Sequence, residues 1–160
     1  MGKEQTSKFT VATLSSPFYG VYSGQAAINT PPDTISYLVS DSHSHLTVKN
    51  YDSGSEEKGA IYDLSKETSR DPYEMFLSGN SALLKIENSN KHDGSHLIVF
   101  RDSFASSLLP LMVAEYEKVT VLDIRYMPSA MIGQFVSDFE GADVLFLYSA
   151  SMLNSSGGMK

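Results

Sequence analysis

The stretch LIVFRDSFASSLLPLMVAEYEKVTVLDI, residues 97–124, decides the fold. An apolar run rich in β-branched residues, LIVF, stops at Arg101-Asp102-Ser103. After it come Leu108, Leu111, Met112 and Glu115 at helical spacing, then a second run, VTVLDI. Short continuous apolar runs are the signature of strands covered on both faces. Alternation of strand and helix predicts parallel pairs joined by right-handed crossovers. ADVLFLY (142–148) adds a third strand, and PSAMIGQFVSDFE (128–140) a second helix with Pro128 near its start. Residues 96–149 therefore read as β-α-β-α-β, with Pro110 expected to kink or restart the first helix.

Upstream the texture changes to Ser, Thr, Asn, Asp and Gly between short apolar runs. TISYLVS (34–40), HLTVKNY (45–51), KGAIYDL (58–64) and ALLKIEN (82–88) read as strands. DPYEMFLSGN (71–80) reads as a short helix capped by Asp71, opened by Pro72 and closed by Gly79-Asn80. The organisation expected is an N-terminal tail over 1–17, a single domain over 18–149 and a disordered tail over 150–160, which ends in SSGGMK.

With 160 residues, 41% of them hydrophobic, the chain can bury a core of its own. A net charge of −7 argues against nucleic acid and anionic membrane as partners. The chain has no cysteine, and hence no disulfide or thiolate chemistry. Its opening, MGKEQTSKFT, lacks the apolar segment of a signal peptide, and no apolar run approaches the length of a membrane span.

Ligands of open parallel sheets bind beyond the carboxyl ends of the strands, and Ser103 lies just past one. Two readings stay open there: a nucleophile exposed on a sharp turn, or a helix cap made by Asp102 or Ser103. The spelling is not G-x-S-x-G, since Arg101 and Phe104 stand where that motif wants glycine. A serine nucleophile also needs a base, usually histidine. His43 and His45 lie in the Ser-rich DSHSH (41–45) and read as surface residues rather than metal ligands, lacking further ligands at suitable spacing. His92 falls in a polar loop, and His96 opens the strand that ends before Ser103, roughly 20 Å from it. Asp123 and Arg125, at the end of the second parallel strand, are expected to share the rim of Ser103, as a structural ion pair or as site-lining groups.

YDLSKETSRDPYEMFLSGN (62–80), LIVFRDSFASSLLPLMVAEYEKVTVLDIRYM (97–127) and ADVLFLYS (142–149), with FYGVYSGQ (18–25), together resemble the C-terminal half of the DHHW family. These bacterial proteins are related to the SGNH hydrolases and to alginate O-acetyltransferase-like enzymes. The resemblance implies an SGNH-like (flavodoxin-like) α/β fold: a mainly parallel sheet with flanking helices, partial at its N-terminus, with extra short strands in residues 34–64. It also implies a serine-based acyl-transfer site, with Ser103 at the place of the serine in D-S-F; no cofactor and no metal are expected. Gly79-Asn80 matches the family's Gly-Asn, and an asparagine amide there could donate to an oxyanion; Asp102 joins the site-lining residues.

The family's Asp-His-His-Trp stretch, which should supply acid and base, precedes the region seen here. This chain has no tryptophan, and DSHSH follows the FYG block instead of preceding it. The expectation is a C-terminal part of a longer protein, or a truncated relative, whose missing N-terminal half or a partner chain would complete the site. The function implied is an esterase or O-acyltransferase acting on cell-envelope carbohydrate, inactive as this chain. The alternative is a non-catalytic carbohydrate-binding or protein-interaction domain of the bacterial envelope. Either would sit in the envelope or outside the cell.

Overall fold

The computed structural model of the chain describes residues 7–20, 29–51, 55–137 and 139–154. Its strands are β1 Thr10–Thr13, β2 Ser36–Val39, β3 Leu46–Asn50, β4 Glu57–Lys58, β5 Leu83–Asn88, β6 His96–Arg101, β7 Lys118–Leu122 and β8 Asp143–Leu147. β1 and β2 form an antiparallel pair, and the other strands make one sheet in the order β4-β3-β5-β7-β6-β8.

The expected mainly parallel sheet with flanking helices is not what forms. β6 pairs in parallel with β7 and with β8, whereas β5/β7, β3/β5 and β3/β4 are antiparallel. The sheet is mixed. Apolar runs report cover on two faces, which is usual for parallel strands but also open to an antiparallel one packed between two layers. β5 is antiparallel, yet sends Leu83 into one core cluster and Leu84 and Ile86 into the other.

The flanking helices are largely replaced by 3-10 turns. From Ser103 to Glu115 the chain makes three of them in succession, each closed by i→i−3 bonds such as Leu108 N–H to Ala105 and Met112 N–H to Leu109. Pro110 has no N–H to give and its ring clashes with the preceding turn, so a continuous α-helix cannot run through it. The buried stripe is Ala105, Leu109, Val113 and Tyr116, not the one read through Leu108, which is 42% exposed. Among the described residues of 128–140, a 3-10 turn forms at Ser129–Met131 and one α-turn at Ile132–Phe135.

The helix expected over 71–80 keeps its N-terminal signals and loses its end. Asp71 accepts from the Tyr73 N–H and Pro72 opens the turn Pro72–Met75, but the chain leaves the helix at Phe76. Leu77, Ser78 and Gly79 then take consecutive φ values of 54°, 60° and 84°. Two non-glycine residues in the left-handed region cost free energy that the surroundings must offset. They do so: Leu77 N–H bonds the Ile61 carbonyl, the Ser78 hydroxyl accepts from Ala60 N–H, and the Leu77 side chain is fully buried. KGAIYDL contributes the end of β4 and a single bridge, Tyr62 to Phe76, instead of a full strand.

Three clusters make the core. Val99, Val119, Val121, Leu84 and Ile86 meet the 3-10 turns on one face of the sheet. Ile98, Phe100, Leu83 and Leu122 meet Met127, Ile132, Phe135 and Val136 on the other. Leu14, Ile35, Met75 and Phe76 join the β1–β2 pair to the body. β1 falls within the 1–17 stretch expected to be an N-terminal tail, in the short β-branched run TVAT. Ala150–Asn154 is helical with Met152 buried, and SSGGMK lies outside the described residues. Leu109 is fully buried at the centre of the serine-side turns. Leu109→Ala should cost about 2–5 kcal/mol of stability, read as a lowered urea midpoint with an unchanged slope.

Candidate active site at the carboxyl rim

Register brings the ends of five strands to one rim of the sheet. Phe100 pairs with Leu122 and with Phe146, Leu83 with Leu122, and Asn50 with Leu84. The residues just beyond, Arg101-Asp102-Ser103, Asp123 to Arg125, and Tyr148-Ser149, therefore converge, with the turn 77–82 beside them. The rim holds every site residue named from the sequence.

Asp102 is 2% exposed and fully engaged. One carboxylate oxygen accepts from the Phe104 N–H at 3.0 Å and caps the serine turn. The other accepts from the Ser149 N–H at 2.8 Å and the Ser149 hydroxyl at 2.6 Å, tying the end of β8 to the end of β6. Burial pushes this carboxyl's pKa up, but the bonds from Ser149 and Phe104, with Arg125 nearby, outweigh it and hold the group below its ordinary value. The cap reading of Asp102 is thus the geometry found.

Ser103 is left free by that arrangement. It is half-buried, and neither its hydroxyl nor its N–H, which opens the turn and so has no intrahelical acceptor, has a hydrogen-bond partner among the described residues. Gly79 is fully committed: its N–H bonds Phe76 and its carbonyl accepts from Arg101 at 3.3 Å. Asn80, exposed, carries the amide that remains available on that side.

Asp123 and Arg125 form a bidentate pair, with Arg125 Nη2 2.6 Å from one Asp123 oxygen and Nε 2.9 Å from the other. Both are at the rim, and Asp123 is fully buried. The Asp123 carboxylate raises the pKa of Arg125 against the effect of burial. Two rim groups escaped the sequence reading. Arg101 is fully buried; its Nη1 donates to the Ser106 hydroxyl at 2.8 Å, and its Nε has no partner among the described residues. Burial pushes the guanidinium's pKa down while Asp123 and Asp102 pull it up. The buried Tyr148 hydroxyl likewise has no partner among the described residues. Their one signal in the sequence is a polar residue directly after an apolar run.

No imidazole meets Ser103. The pairings of Leu46 with Asn88 and of His96 with Lys118 put β3's start, where His45 lies, the loop carrying His92, and His96 at the opposite rim. His96 Nε2 contacts the Thr120 hydroxyl at 2.9 Å. His43 Nε2 donates to the Pro110 carbonyl at 2.8 Å, and its Nδ1 is buried without a partner; desolvation lowers its pKa. Among the described residues no three His, Asp or Glu side chains are grouped to hold a metal, and no helix is long and apolar enough to cross a membrane.

Compared with known proteins, the chain matches the DHHW protein family over residues 5–122. No curated protein matches it. Among solved structures it shares its fold with Bacillus cereus PatB1 bearing a sulfonyl adduct (20% identity, TM-score 0.72, 95% of this chain and 51% of that one). A DHHW family protein from Eubacterium siraeum aligns at 22% identity and TM-score 0.67, over 98% of this chain and 52% of that one. A second structure of Bacillus cereus PatB1 aligns at 18% identity and TM-score 0.68, over 93% of this chain and 50% of that one. The chain spans about half the length of these proteins.

The lowered pKa of Asp102 has a consequence for stability. A carboxylate held below its unfolded value contributes stability above the unfolded pKa and loses it as pH falls through the folded one. Urea midpoints should therefore drop as pH is taken below the ordinary aspartate value of 3.8, and Asp102→Asn should be less stable at pH 7 and flatten that part of the profile.

Proposed function

Because this chain belongs to the DHHW family, we propose that it carries the nucleophile half of a serine acyl-transfer site. The observation that carries the reading is Ser103: a serine hydroxyl with no partner among the described residues, at the end of an inner strand, on a turn that Asp102 caps. Ser103 Oγ attacks an ester carbonyl as a base takes its proton. The oxyanion is met by the Ser103 N–H and the Asn80 amide. Collapse expels the alcohol, which takes the proton back, and leaves an acyl-serine. Water then completes an esterase cycle, or a second hydroxyl a transferase cycle.

The base and the acid that orients it come from the Asp-His-His-Trp stretch of the half this chain does not span. Asp102 does not serve as that acid, since Ser149 and Phe104 occupy it. The substrate we assign is O-acylated carbohydrate of the bacterial envelope, with the protein located there. Sulfonyl adducts form on nucleophilic side chains, so the PatB1 adduct supports a reactive group in this fold.

A second reading has its own observation. With no imidazole at Ser103, the chain alone is a non-catalytic binding or interaction domain. A fluorophosphonate probe read by mass spectrometry separates the two, using the chain alone and the chain joined to the remaining half of the Eubacterium siraeum relative. The chain alone should label no faster than Ser103→Ala. The joined protein should label at Ser103 by about 10²–10⁴-fold faster, the contribution of a general base. No labelling of Ser103 in the folded joined protein sinks the acyl-transfer reading.

A further inference from the structure

At the end of the sheet away from Ser103, a cavity of about 300 Å³ opens between the strands and the Ile132–Phe135 turn. That volume stands at the lower end of small-molecule sites. Strand register assembles its floor. Thr120 on β7 pairs with Lys85 on β5, while Lys118 pairs with Glu87 on one side and His96 on the other. Side chains two apart on a strand share a face. Lys85, Glu87, Lys118, Thr120 and His96 therefore stand on the face that carries Leu83 and Leu122, and Phe135 and Val136 wall the space above them.

Two lysines and a histidine thus meet in a chain that has 12 Lys and Arg against 19 Asp and Glu. Neither lysine is taken up by a close carboxylate. Lys85 makes no ion pair among the described residues and lies over the Tyr51 ring at 5.7 Å. Lys118 reaches Glu117 at 3.9 Å, with its side chain 63% exposed. Glu87, the one carboxylate among the described residues lining the cavity, lies near enough to Lys49 to raise, after Glu56, that lysine's pKa. The cationic groups feel one another: burial first, then Lys118 and Lys85, lower the pKa of His96. Like charges gathered in this way repel, and an anion between them relieves the repulsion. His96 Nε2 lies 2.9 Å from the Thr120 hydroxyl. When it donates there, the hydroxyl's own proton is free to point into the cavity.

We propose that this cavity binds a phosphoryl group, either free or carried on a small organic ester. Lys85, Lys118 and Thr120 offer three separate donors, and the two ammonium groups sit on flexible stems that can turn inward. A phosphoryl group presents three acceptor oxygens and close to two negative charges. A carboxylate presents two oxygens in one plane, the arrangement an arginine fork fits, and no arginine lines the cavity among the described residues. Phe135 and Val136 give an apolar wall against which the carbon skeleton of an ester can lie. The site is at the opposite rim from Ser103 and stands apart from the acyl-transfer reading.

The test is calorimetric titration of the chain with glucose 6-phosphate, inorganic phosphate, glucuronate and glucose. At least one of the two phosphates should bind with a dissociation constant of about 1 mM or tighter, and glucose should not bind. Glucose 6-phosphate binding about tenfold tighter than inorganic phosphate identifies an ester as the ligand; equal or weaker binding identifies free phosphate. Lys85→Gln and Lys118→Gln should each weaken binding by about tenfold, the worth of a hydrogen bond to a charged group. Lys58→Gln, on β4 and outside the cavity, should leave it unchanged. Circular dichroism checks that each variant stays folded. No binding of either phosphate at about 10 mM, glucuronate binding as tightly as the phosphates, or a folded Lys85→Gln/Lys118→Gln double variant that binds like the parent would each overturn the proposal.

Discussion

The rim depends on one carboxylate. Asp102 is bonded both to the serine turn, through the Phe104 N–H, and to the end of β8, through Ser149. Three N–H or O–H donors converge on a group that burial alone would push towards neutrality, and they keep it charged. Charge-assisted bonds of this type are stronger than neutral ones. Asp102 caps the serine turn, and among the described residues Ser103 has no hydrogen-bond partner. The Asp-Ser pair thus divides its labour: the aspartate builds, and the serine is presented.

Arg101 adds a second constraint from behind. Its guanidinium reaches the Gly79 carbonyl on one side and the Ser106 hydroxyl on the other, joining the left-handed turn 77–79 to the serine turn. A buried cation with neutral partners is costly, and the fields of Asp102 and Asp123 offset part of that cost. The strained turn and the serine turn are therefore one rigid unit. What the unit lacks is an imidazole, because the topology sends His45, His92 and His96 to the far rim and His43 to Pro110.

The strands from β5 to β8 were legible because each is a short apolar run bounded by polar residues, and both sheet faces are covered. The rim was legible too, since Ser103, Asp102, Asp123 and Arg125 follow those runs directly. Direction was legible for β6, β7 and β8, which pair in parallel as their alternation with turns implied, and not for β5, which buries both faces while running antiparallel. The helices failed for a related reason. Ala105, Leu109, Val113 and Tyr116 keep nearly helical spacing through a chain of 3-10 turns, and only Pro110 hints that the hydrogen bonds change. Leu77 and Ser78 gave no hint of positive φ, since neither is of a type that favours it.

One further consequence concerns β8. Its two ends are pinned by polar bonds, Tyr116 to Asp143 at the start and Asp102 to Ser149 just past the finish. A slip of one residue would break both and turn Leu145 and Leu147 out of the core. The strand's alignment is thus set by the chain's own bonds.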